Sequence, residues 1–177
     1  MDTRSELVTY FGLEKSWTVG LALFGACALA LALYLWLAKG TYRGAALPLG
    51  LFALIELGIG AGVARRTEAQ MSQLLQQLDA GADMGAERAR MEGVMKTFEI
   101  VKLAELALVA VGVGLTYAMR SRDFAFAAGL GLITQCSLLF VFDAVAARRG
   151  QPYLDALASL GSTGEAGDAS TERSVTR

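Results

Sequence analysis

Glu56 is the only ionisable side chain in the apolar run 47–64 (LPLGLFALIELGIGAGVA). A carboxylate inside such a run is costly, so it needs either a partner or a task. Two other apolar runs carry groups that could supply one. Residues 98–119 (FEIVKLAELALVAVGVGLTYAM) hold Glu99, Lys102 and Glu105 near one end, and residues 124–147 (FAFAAGLGLITQCSLLFVFDAVAA) hold Gln135 and Asp143. The chemistry open to this set is narrow. Two neighbouring carboxylates disfavour double ionisation and can share a proton or a cation. With Lys102 as counter-charge and Gln135 as hydrogen-bond donor, the same groups would instead form a polar seam that fixes helix register.

Other chemistries are excluded by composition. The chain has no histidine, which removes the commonest general base and metal ligand together. Carboxylates alone suit a hard cation only with several oxygens at a wet site, and Lys102 opposes that, so no metal or cofactor is expected and no catalytic residue is assigned. Cys27 and Cys136 both fall near the middle of apolar runs and read as buried thiols. Sixteen basic and seventeen acidic residues give a net charge of −1, which leaves no basic footprint for nucleic acid.

The elements that must position these groups follow from hydropathy. Of 177 residues, 54% are hydrophobic, and the mean hydropathy is +0.45. That balance fits an all-α membrane protein. Four runs, 17–38, 45–64, 98–119 and 124–147, each approach the roughly 20 residues needed to cross a bilayer core. The short connections after the first and third make an up-down-up-down four-helix bundle the expected arrangement. Residues 65–97 carry good helix formers with apolar stripes, Met71, Leu74, Leu75 and Leu78 on one arm and Met84, Met91 and Met95 on the other. With Gly81 and Gly85 between them, they predict spans two and three extended into a protruding helical hairpin. Residues 1–16 predict an interfacial helix, 151–160 a short amphipathic segment, and 161–177 a disordered tail.

Depth counting along these helices puts Glu56 about 3 Å, Glu105 about 5 Å, Lys102 about 10 Å and Asp143 about 12 Å from their span centres toward the hairpin side. Gly58 and Gly62 offer a GxxxG approach on span two. Close packing of spans two and three would then set Glu56 beside Glu105 and Lys102. Leaving out the distal tail, nine basic residues on the hairpin side against four opposite place the hairpin and termini in the cytoplasm of a bacterial inner membrane.

Three functions compete. The first is a non-enzymatic protein whose hairpin binds a protein partner through Met71, Leu74, Leu78, Met91 and Met95. Arg65, Arg66 and Lys96 stand at the boundary, where they would meet the partner or anionic lipid. The second is a small proton- or cation-coupled transporter, working as a homo-oligomer and using Glu56 and Glu105. The third is an intramembrane lipid-binding scaffold or enzyme.

Overall fold

The computed structural model describes residues 3–160. The expected disordered tail, 161–177, lies outside the described residues. Four long helices carry the fold: α1 (Thr3–Ala38), α2 (Ala46–Asp79), α3 (Gly85–Ala118) and α4 (Asp123–Val175), with a short 3-10 helix, Thr41–Ala45, leading into α2. No strand occurs among the described residues. The stretches Thr3–Ala38, Thr41–Asp79 and Asp123–Leu160 are long and apolar enough to cross a membrane, which makes this a helical membrane protein.

Sharp turns need special backbone. Lys39 ends α1 in the left-handed region at φ 53°, and Gly81 does the same after α2 at φ 67°. Asp83 Oδ1 then accepts a hydrogen bond from the Gly85 amide at 2.9 Å, which satisfies a free donor at the start of α3.

α1 and α2 pack as one antiparallel pair and α3 and α4 as another. The α1–α2 register is read from Arg4 with Asp79, Lys15 with Glu68 and Gly25 with Glu56. That of α3–α4 is read from Met95 against Gly150 and Thr116 against Gly129. α4 also touches both α1 and α2. Among the described residues, the backbone of α3 reaches packing distance of neither α1 nor α2. The expected close packing of spans two and three is therefore absent, because α4 lies between α3 and the α1–α2 pair.

The expected hairpin also stands differently. Leu74, Met84 and Met91 are buried with Leu7 and Phe11 of α1 and with Tyr153 and Leu157 of α4, and Met71, Leu75 and Leu78 pack around them. All four helices thus run on together beyond the apolar spans. Residues 3–16 continue α1 without a break into this extension. Residues 151–160 continue α4 without a break, through Pro152. The apolar stripes are filled from inside the molecule because large side chains exposed to water gain most by packing on each other.

At the opposite end the packing is by small residues. Ala32, Ala45, Ala46, Leu49 and Ala127 form a second core. A Cβ on Gly131 would meet Ala45 at 2.9 Å, and one on Gly112 would meet the Gly129 carbonyl at 2.9 Å. Such close backbone approach is the means by which helices associate in lipid. Gly58 and Gly62 do not take part, having nothing within 4 Å of a Cβ position.

Candidate functional site

Glu56 lies in the α1–α2 contact, facing α4. It is 2% exposed, and its Oε1 accepts a hydrogen bond from Gln135 Nε2. Its other oxygen, Oε2, has no hydrogen-bond partner. Gly25 of α1 makes room for it, since a Cβ there would stand 3.1 Å from Oε2. Glu56 therefore meets α1 and α4, and the expected contact with span three is replaced by Gln135.

Glu105 is buried on α3, 5% exposed, and its carboxyl lies close enough to the Asp143 carboxyl of α4 for the two to interact. Its Oε2 has no hydrogen-bond partner. Lys102 is close enough to interact electrostatically with Asp143, yet among the described residues no ion pair within 4 Å joins it to Glu56, Glu105 or Asp143. Position along α4 explains the division. Cys136 and Asp143 are seven residues apart and share the face toward Glu105, while Gln135 is turned by about 100° toward α2. The polar cluster is thus two sites on adjoining faces of one helix: Glu56–Gln135, and Glu105–Asp143 with Lys102 nearby.

The separation of α3 from α1 and α2 leaves a gap. A cavity of about 170 Å³ opens there, walled by Trp17, Leu21, Ile59, Val63, Phe98 and Phe142. Tyr10, Glu14, Asp143 and Arg149 supply its polar lining. Trp17 stands edge-on to Phe142 at 5.3 Å, and the Arg149 guanidinium lies 4.1 Å over the Trp17 ring. A matching pair, Arg43 over Trp36 at 4.1 Å, sits near the other end of α1. Along the helix the two tryptophans are about 28 Å apart, close to the thickness of a hydrocarbon core.

The hairpin end has its own polar centre. Glu87, buried on α3, accepts two hydrogen bonds from Arg90 at 2.7 Å and one from the Tyr153 hydroxyl at 3.1 Å. These hydrogen bonds to Glu87 keep the Arg90 guanidinium charged more firmly than usual. Gln70, with its amide turned so that oxygen faces Arg90, brings α2 into the same network.

Of the boundary residues expected to meet lipid or a partner, Arg65, Arg66 and Lys96 are exposed. Leu74 and Met91 are buried, and Met71, Leu78 and Met95 are partly covered, so any protein partner would meet the polar outer positions of the hairpin. Sequence reasoning passed over the cavity. Its signals were Trp17 and the Arg148–Arg149 pair, both at span boundaries, but nothing in their spacing puts α1 beside the end of α4. No family model, no curated protein and no solved structure matches the chain, so the fold and the two carboxyl sites stand on their own geometry.

Proposed function

We propose that this chain is a four-span protein of a bacterial inner membrane in which Glu56 and the Glu105–Asp143 pair hold an exchangeable proton or small cation for coupled transport. The observation that carries this reading is Glu56. It is buried, one oxygen is unpartnered, and among the described residues no basic side chain lies within 4 Å to neutralise it. A purely structural seam would call for a counter-charge on such a group, and Lys102, the nearest candidate from sequence, does not provide it. Two neighbouring carboxyls, as Glu105 and Asp143 are, disfavour double ionisation and so favour a shared proton or cation.

The four-span placement draws support from two features. α3 packs along α4 from Met95 to Thr116, so residues 98–119 accompany α4 across whatever it crosses. The two arginine–tryptophan pairs fall where interfacial aromatic residues belong. The excess of basic residues on the hairpin side puts hairpin and termini in the cytoplasm. Because four helices leave a narrow path, transport is assigned to a homo-oligomer.

Proteoliposomes loaded with a pH-sensitive dye test this directly. Wild-type protein should move protons or alkali cations down an imposed gradient, and E56Q should lose at least about tenfold of that flux. Flux in E56Q equal to wild type, or no flux from folded wild-type protein across the alkali cations, sinks the proposal. Binding of a protein partner, the other function expected from sequence, is tested by charge reversal at outer hairpin positions such as Arg88 and Glu92. Deleting the hairpin would also remove Leu74 and Met91 from the core.

A further inference from the structure

The cavity at the hairpin-side boundary has one polar atom that its surroundings leave unanswered. Arg149 lies over the Trp17 ring, and its Nη1 is buried without a hydrogen-bond acceptor. Among the described residues neither carboxylate lining the same cavity, Glu14 or Asp143, forms an ion pair with Arg149 within 4 Å. An acceptor supplied from outside is what Arg149 lacks. Below it the walls are apolar, formed by Trp17, Leu21, Val63, Phe98 and Phe142. A volume of about 170 Å³ holds several methylene groups and falls short of a drug-sized ligand.

We propose that this cavity binds an anionic membrane lipid, with a phosphate oxygen on Arg149 and part of one acyl chain between Trp17, Phe98 and Phe142. Depth and charge agree with this occupant. By the tryptophan spacing, Arg149 stands at headgroup level. On the same hairpin side, Arg65, Arg66, Lys96 and Arg148 are exposed, and among the described residues none has an ion pair within 4 Å. Exposed cations near a span boundary attract anionic lipid. A guanidinium held over an indole keeps donors in the fork that a phosphate accepts. The site shares the bilayer placement argued above but does not depend on any coupling role for Glu56.

The test uses full-length W36F protein, in which Trp17 is the sole tryptophan, in phosphatidylcholine nanodiscs titrated with phosphatidylglycerol brominated on its acyl chains. Trp17 fluorescence should be quenched to saturation at low phosphatidylglycerol content. R149Q should need about tenfold more lipid for half-quenching, as expected for a lost charge-assisted contact. R43Q, at the other interface, should leave the curve unchanged. V63W, made in the same background and read by mass spectrometry of co-purified lipid, fills the chain cavity and should release bound phosphatidylglycerol. Equal quenching by brominated phosphatidylcholine, or an R149Q curve that overlays wild type, overturns the proposal. So does displacement of the lipid by millimolar inorganic phosphate, which would mark a plain anion site.

Discussion

At the scale of single residues, the best-determined polar group is Glu87. It is buried with its oxygens shared between Arg90 and Tyr153, so its loss takes the acceptor from three hydrogen bonds. Glu87→Ala should cost about 2 kcal/mol of stability, read as a lower melting temperature of the helical signal in detergent. An unchanged melting curve would show that solvent replaces the carboxylate at no cost. Tyr10 gives a pH signature at the same level. Burial, and then the charge of Glu14, push its phenol up to about 12 from the ordinary 10, and Tyr153 is shifted in the same direction, mainly by burial. The folded state therefore favours the protonated phenols. The contribution of Tyr10 is fully present below pH 10 and is lost as pH rises through about 12, so the hairpin end of the bundle should loosen across that window. Y10F should flatten the alkaline limb of a stability profile.

At the scale of elements, the contact between α3 and α4 depends on glycine. A side chain at Gly112 would run into Gly129 and Ile133, with the nearest atom 2.8 Å from the Cβ. Gly112→Leu should push α3 off α4 and cost several kcal/mol, roughly the upper range for overpacking. Cross-linking between cysteines placed at Thr116 and Leu130 would report the separation, and an undiminished yield would argue that the helices slide instead. What sequence revealed here is uneven, for a physical reason. The stripe Phe98, Lys102, Glu105, Gly112 and Thr116 was legible as one face of α3, because helical period fixes which residues share a side. Which helix that face meets was not legible. Periodicity carries no information on neighbours, and a short connection only favours packing of the two helices it joins. The links 39–44 and 119–122 are short, and the pairs they join do pack. α2 and α3 are joined by a link as short, 80–84, yet their backbones do not pack and α4 takes the place between them, so a short connection alone does not decide neighbours. Glu56 was assigned the wrong neighbour by that one step, although Gln135, its true partner, was already among the candidates.

The whole molecule is built for two solvents. The extension beyond the spans is held by Leu7, Phe11, Met91, Tyr153 and Leu157, large side chains whose burial water rewards. The other end is held by alanine and glycine contacts, and its outward positions, among them Leu51, Ile55, Leu103 and Tyr117, are exposed and apolar, as a hydrocarbon surround allows. Met91→Ala should thus lower stability by about 2–5 kcal/mol in detergent. Little of that loss should be recovered by changing the lipid, because the damage lies in the aqueous part. A melting temperature restored by thicker bilayers would contradict this division.

The central position of α4 has a further meaning for how the protein comes into being. Synthesis delivers helices from the amino end, and α1 and α2 can pair as soon as both have left the ribosome. α3 has no such neighbour. Until α4 emerges, Glu105 and Lys102 have no protein surface to turn toward, and the segment carrying them is poorly suited to lipid on its own. Insertion of α3 is thereby tied in time to translation of α4, the helix that joins α3 to the α1–α2 pair.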